Sequence, residues 1–366
     1  MSLSTTLSRY FAVMFSRNAV FVYGGAALLI LLVDTVDLMR LAEGKEVSSF
    51  GLVAEMALLR LPRYTERILP FVFLFAGMWT FLRLTRSSEL VVARAAGVSA
   101  WQFLAPAIAI AFVFGLVATL AFNPVAAALS ERFERLEARH FEGQSGRTLA
   151  FAREGLWLRQ RTDKGGSAVI RGDHVTDKGI ALAGVTVLLF DKNERFQTRI
   201  DAKRAILKDG AWLLSDAFST DKFGHGQKVS MVAVPTDLTV ERIEESFATP
   251  ETLSVYDLPA FIASMEEAGF AATRHKLYWH SLLAQPLLLV AMVLIAATVS
   301  LRLTRRGGLG LLVLAGVIAG FGFYLVTDIA EAMGAAGRLP PSLAAWGPVA
   351  ATLLLGLSLL FHLEDG

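Results

Sequence analysis

The residues of this chain that could do chemistry are charged side chains at the ends of apolar runs. The densest such stretch is Arg83-Leu-Thr-Arg-Ser-Ser-Glu-Leu-Val-Val-Ala-Arg-Ala-Ala-Gly97, between two long apolar runs. Ser87 and Ser88 precede Glu89 as hydroxyl residues do at a helix start, where side-chain oxygens satisfy the first free N–H groups. Leu90, Val91, Ala93, Ala95 and Ala96 then make a short apolar stripe, and Gly97 supplies a C-terminal stop. Glu89 falls in the first turn, where the helix N-terminus favours negative charge. A short helix over 86–97 is predicted. Two roles are open to it. It can dock into a soluble partner through Arg86, Ser88, Glu89, Leu90, Ala93 and Arg94, or it can lie at the membrane surface and cap a bundle.

A second set of charges comes at the far ends of the same runs: Arg40, Arg60, Arg63 and Arg67, then Arg132 and Arg135, with Asp34 beside them. Guanidinium forks suit phosphate and carboxylate oxygens. Asp34, Arg40, Arg63, Arg132 and Arg135 are therefore candidates to face the headgroup of an anionic amphiphile. The competing role is ion pairing with the neighbouring Asp37, Glu43, Glu55 and Glu66.

Other chemistries find no support. Gly44-Lys45 lacks the glycine that a phosphate-cradling loop needs five positions earlier. Energy-driven work would thus need ATP and Mg bound by another chain, and no cofactor is expected in this one. The six histidines are scattered, and His275 and His280 are five apart, off the spacing of a helical zinc pair. No Gly-x-Ser-x-Gly elbow is present. With no cysteine, disulfides and thiolate sites are excluded within the chain. A net charge of +2, dispersed, gives no basis for nucleic-acid binding.

The elements that must carry these charges are membrane spans. Of the 366 residues, 54% are hydrophobic and mean hydropathy is +0.51. Apolar runs approach the ~20 residues a helix needs to cross a bilayer. Spans are predicted at Phe11–Val36, Ile68–Leu84, Trp101–Phe122, Leu277–Val299, Leu309–Thr327 and Leu343–Phe361. An amphipathic stretch ending at Leu61-Pro62 precedes the second, and Asn123-Pro124 closes the third. The first run lacks a cleavage pattern and is expected to stay as an anchor. Arg83/Arg86/Arg94 and Arg302/Arg305/Arg306 place their loops in the cytoplasm by the Lys/Arg excess of short cytoplasmic loops. Both termini are then cytoplasmic and 130–275 lies outside. Gln285-Pro286 predicts a kink whose freed carbonyl the glutamine helps to satisfy. Gly316, Gly320 and Gly322 make a small-residue face, for packing within the bundle or against a subunit.

From Thr148 the pattern changes to short strands: 155–159, 168–171, 185–190, 196–200, 205–207, 211–214 and 228–232, with Asp209-Gly210 a hairpin signal. Many close strands predict an antiparallel sandwich or jelly roll, with Trp157, Leu189 and Trp212 facing inward. Leu258–Ala268 is predicted helical. The predicted fold is an α-helical membrane protein with six transmembrane helices and an all-β jelly-roll domain between the third and fourth. Its parts are 1–129, 130–275 and 276–366.

In this order the segments resemble the LptF/LptG family, permease subunits of the ABC transporter that exports lipopolysaccharide in Gram-negative bacteria. The resemblance rests on Arg86-Ser-Ser-Glu-Leu-Val-Val, Asn123-Pro124, Gly155-Leu-Trp-Leu, Gln285-Pro286 and Leu339-Pro-Pro, and spans nearly the whole chain. Leu32-Val-Asp34, Gln285-Pro286 and the Pro-Pro loop are more similar to LptG members than to LptF members. The resemblance implies a periplasmic jelly roll, an inner-membrane location, and a coupling helix at 86–97 that docks on an LptB-like ATPase dimer, with Glu89 at the coupling glutamate. It also implies an LptF-like second permease, LptC-like and LptA-like bridge proteins, and lipopolysaccharide as substrate. The family's basic cavity residues near the first span do not align cleanly: Arg40 comes late, and Arg63 is the better match. The LptF-like role in the same transporter stays open, and three other classes stay in view. A secondary transporter would show inverted repeats, a lipoprotein-release or FtsX-like permease has four spans, and a membrane hydrolase needs a nucleophile–base setting.

Overall fold

Apolar runs in lipid must satisfy their backbone groups internally, which long helices do. The computed structural model describes residues 5–42, 50–140, 148–152, 155–161, 166–176, 181–193, 195–208, 210–236, 249–267, 271–303 and 309–364. The chain forms two units: Met1–Phe141 with Pro250–Leu258 and Thr273–Gly366, and Glu142–Thr249 with Pro259–Ala272. Helices are α1 (Thr5–Ala42), α2 (Phe50–Arg86), α3 (Glu89–Ala95), α4 (Ala100–Val117), α5 (Asn123–His140), α6 (Leu258–Glu267), α7 (Thr273–Leu303), α8 (Leu309–Ala335) and α9 (Pro341–Glu364). A π turn, Ala118–Phe122, joins α4 to α5. Among the described residues six helical segments are long and apolar enough to cross a membrane: Thr6–Ala42, Phe50–Arg86, Ala100–Glu137, Thr273–Leu301, Val313–Ala335 and Pro341–His362. This is a multi-pass helical membrane protein.

Two expected boundaries are displaced. α2 runs unbroken through Pro62 and Pro70, where an end was expected at Leu61-Pro62. Asn123-Pro124 does not end its helix: the π turn precedes it and α5 continues to His140. The core gathers Phe15, Phe73, Leu74, Phe81, Phe103, Leu104, Leu289 and Val293. In its most apolar window α7 is 78% buried, against 6% for α1 and 11% for α8, so α7 is the central helix and the other two present apolar faces outward. Of the small-residue face, Gly316 packs against Met78, and Gly320 against Phe71 and Leu74, within the chain's own bundle. The Glu43–Glu46 loop and Arg305 and Arg306 lie outside the described residues.

The second unit holds a seven-stranded antiparallel sheet, each strand paired with its sequence neighbour. The strands are β1 (Thr148–Ala152), β2 (Gly155–Arg161), β3 (Ser167–Thr176), β4 (Ala181–Phe190), β5 (Phe196–Lys208), β6 (Ala211–Asp221) and β7 (Gly226–Pro235). β1 was not among the expected strands, and the two short strands expected at 196–200 and 205–207 are one, β5. The described strands follow an up-and-down order, without the Greek-key crossings of the expected jelly roll. Asp209 lies outside the described residues; Gly210 turns the β5–β6 hairpin with φ +75°.

A crease crosses this sheet. The ladder skips Asp173/Gly184, Gly184/Lys203, Lys203/Asp216 and Asp216/Ser230, one level on five strands. Gly184 and Asp216 have φ of +65° and +54° there. Buried positions change phase across it: Leu182 then Val185 and Val187, Ala205 then Ala202 and Ile200, Trp212 and Leu214 then Ala217. The same face is kept inside on both arms because the crease inserts a half-step, as a bulge does. Of the three residues expected inward, Trp212 is fully buried. Leu189 is only half-buried, and Trp157 pairs with Arg171, whose guanidinium lies 5.5 Å over its ring.

Candidate functional site

Between α2 and α4 the chain makes a two-turn insert. Ser88, expected to cap α3, instead takes a left-handed conformation, φ 60°, and makes no side-chain cap bond. Ser87 turns backward: its Oγ donates to Arg83 O at 3.0 Å, at the end of α2. The Ser87 hydroxyl thus closes α2, and neither serine side chain opens α3. Gly97 behaves as expected, with φ +84°. Its N–H donates to Arg94 O and that of Val98 to Ala93 O, the paired bonds of a Schellman end. Ser99 and Gln102 then open α4 with a capping box.

The insert has an inner and an outer side. Leu90 and Ala93 are buried, Leu90 in the same core as Leu84, Ala100 and Phe103. Their apolar surface is used inside this chain, whereas a partner's groove was expected to take it. Val91 and Val92, 61% and 67% exposed, are turned outward, as are Ala95 and Ala96. Arg86 and Ser88 are exposed, and Glu89 and Arg94 half-exposed. The Tyr10 hydroxyl of α1 hydrogen-bonds to the Glu89 carboxylate, with Arg83 and Arg17 nearby.

At the opposite ends of the spans most candidate lipid contacts already hold a partner. Asp34 is buried and accepts from Arg60 Nη1 at 3.2 Å. That guanidinium stands 5.0 Å from both the Tyr64 and Phe133 rings. Arg63 pairs with Glu251 at 3.1 Å, Arg135 with Glu131 at 3.3 Å, and Arg132 with Glu55. Arg40 is exposed and makes no ion pair among the described residues.

Beneath these pairs lies a network that the sequence reading missed. Asn123, 1% exposed, donates through Nδ2 to Glu66 Oε1 at 3.3 Å and to the Tyr278 hydroxyl at 3.2 Å. Its Oδ1 accepts from Val255 N at 2.9 Å. One amide therefore joins α2, α7 and the segment Pro250–Leu258 that returns from the sheet. The available signal was a glutamate and an Asn-Pro pair within apolar runs.

Six candidate spans interrupted by an antiparallel sheet, with a short helical insert between the second and third, define a multi-pass membrane protein. Residues 9–362 match the family described as lipopolysaccharide export system permease LptF/LptG, and the chain belongs to that family. It is 26% identical over 313 residues to the lipopolysaccharide export system permease protein LptG of Escherichia coli strain K12, covering 83% of this chain and 84% of that protein. The same figures hold for the LptG of Escherichia coli O6:H1. The chain is accordingly a non-catalytic permease subunit of a lipopolysaccharide export ABC transporter, which works with a partner permease and a separate ATPase subunit.

Proposed function

We propose that the chain is the LptG-type subunit, set in the inner membrane with both termini cytoplasmic. Residues 1–129 and 276–366 form the transmembrane halves. Residues 130–275 lie on the periplasmic side, and their creased sheet folds over its apolar face in the manner of the family's jelly roll. The partners are an LptF-like permease and an LptB-like ATPase dimer that binds ATP and Mg, with LptC-like and LptA-like proteins continuing the periplasmic path. The substrate is lipopolysaccharide drawn from the membrane. Its phosphates meet Arg40 and Arg63, while Arg132 and Arg135 exchange carboxylate for phosphate and Asp34 holds Arg60.

The observation that carries the docking role is the division of α3. Leu90 and Ala93 anchor it to the bundle, and Val91, Val92 and the edge of Glu89 stay open. A helix anchored on one side and exposed on the other transmits a push from the partner into α2 and α4. The test is Glu89→Lys in vesicles reconstituted with the partner permease and ATPase. Lipid release is expected to be lost with the complex still assembled. If ATP hydrolysis and release both persist, α3 is only an interfacial cap.

A further inference from the structure

Proline in a helix leaves the carbonyl four residues earlier without its N–H donor. In an apolar surround that oxygen needs another donor. Of the prolines inside helices of the membrane unit, Pro70 and Pro286 have a replacement donor from a different element, and beside Pro124 a carbonyl of the π turn is met in the same way. Pro70 in α2 frees Glu66 O, which accepts from Gln285 Nε2 of α7 at 3.4 Å. Pro286 in α7 frees Leu282 O, which accepts from the Thr119 hydroxyl of the π turn at 3.0 Å. Four residues before Pro124, Leu120 O accepts from the Tyr256 hydroxyl of the return segment at 2.9 Å. An ordinary helical hydrogen bond depends on one helix alone. These three depend on where the neighbouring element sits.

The bonds also close a chain. α2 connects to α7, α7 to the π turn and the π turn to the return segment, with Asn123 tying the same elements a second time. Gly115 lets the helices meet closely: a Cβ there would lie 2.5 Å from Pro286 Cα. At one end, α2 runs straight into α3. At the other, Pro250–Leu258 is the first stretch of membrane unit after the sheet. We propose that Gln285, Thr119 and Tyr256 are positioning residues of a clasp that carries displacement of α2 to the return segment, so that lipid movement stays in step with ATP hydrolysis. This rests on the docking role of α3, and it assigns the route beyond it.

Simple structural capping would lower ATP hydrolysis and lipid release together when a donor is lost. A clasp that transmits motion lowers the amount of lipid released per ATP. Thr119→Val removes the hydroxyl at nearly constant size, and Thr119→Ser keeps it. Tyr256→Phe removes one oxygen from a side chain that is 61% exposed, so its fold is not at issue. Each variant is to be assembled with the partner permease and ATPase in vesicles containing lipopolysaccharide, and both rates measured. For Thr119→Val and Tyr256→Phe the lipid released per ATP is expected to fall about fivefold, the factor one net hydrogen bond is worth, with hydrolysis within about twofold. Thr119→Ser is expected to restore the ratio. An unchanged ratio in Thr119→Val and Tyr256→Phe overturns the clasp, whatever Glu89→Lys does alongside. Persistence of both rates in Glu89→Lys instead overturns only the docking of α3.

Discussion

Truncating Trp212 to alanine tests whether the creased sheet encloses a core. The side chain is 0% exposed, and it stands in register between Leu207 of β5 and Val234 of β7. Removing a buried indole costs about 3–5 kcal/mol, through lost transfer energy and the cavity left behind. A domain of this kind has about 5–15 kcal/mol in total, so the loss is a large share. Trp212→Phe separates size from polarity. The indole N–H has no hydrogen-bond partner among the described residues, and leaving such a donor buried costs about 1–3 kcal/mol. Phenylalanine gives up some contact but removes that cost, so it is expected to be far milder than alanine. Hydrogen exchange of the full chain in detergent reads both. In Trp212→Ala, protection across 196–235 is expected to drop by about a hundredfold or more, since each 1.4 kcal/mol is about tenfold, with α2 and α7 unchanged. Equal protection in wild type and Trp212→Ala would refute the enclosed face.

Reporter fusions near Gly165 are expected to show periplasmic phosphatase activity, and fusions near Ser88 and Gly307 cytoplasmic fluorescence; the opposite pattern reverses the proposed orientation. Arg63→Glu sets a carboxylate against Glu251, where a 3.1 Å pair stood, and is expected to weaken lipid cross-linking while the complex still assembles. Unaltered lipid capture would leave Arg63 as an ion-pair residue only. The Arg199 guanidinium hydrogen-bonds to Asp201 and, with the Thr186 hydroxyl, holds its carboxyl below the ordinary value. A depressed folded pKa stabilises above the unfolded value, about 3.9, and that contribution is lost as pH falls through the lower folded value. The unfolding midpoint of wild type is therefore expected to exceed that of Asp201→Asn near neutrality and to converge on it below about pH 4. A gap that stays constant on acidification would remove the ion pair as its cause.

Six candidate spans and a middle region of strands were legible because both signals are local: apolar length for the spans, and turn residues between β-branched runs for the strands. The insert at Arg83–Gly97 was legible in outline for the same reason, and Gly97 stops α3 as expected. Its inner detail was not. A stripe of Leu and Ala says that one face is apolar but not what covers it, and here the chain's own core takes Leu90 and Ala93. Ser87 departs from the expected cap because a hydroxyl before a glutamate can equally bond backward to the carbonyls of the preceding helix. The crease was invisible for a different reason. Gly184, Lys203 and Asp216 are ordinary residues singly, and only strand pairing sets them on one line.

The prolines show most sharply what a sequence withholds. Pro62, Pro124 and Pro286 were read as an end, an end and a kink, which follows from a lost N–H and a clash with the preceding turn. The helices continue through all three. For Pro286 the expected donor was Gln285 beside it, yet Gln285 reaches α2, and Thr119, 163 positions away along the chain, supplies Leu282 O. A proline in a membrane helix therefore poses a question that its own helix cannot answer. The donor is chosen by packing, from residues that look unremarkable where they stand: a threonine in an apolar run, a glutamine beside a proline, a tyrosine in a return loop. Because Gln285, Thr119 and Tyr256 each belong to another element than the carbonyl they meet, continuing the helix and joining it to its neighbour are there one event. A span that kept all its own hydrogen bonds could shift without telling the next. The spans joined through Gln285 and Thr119 cannot.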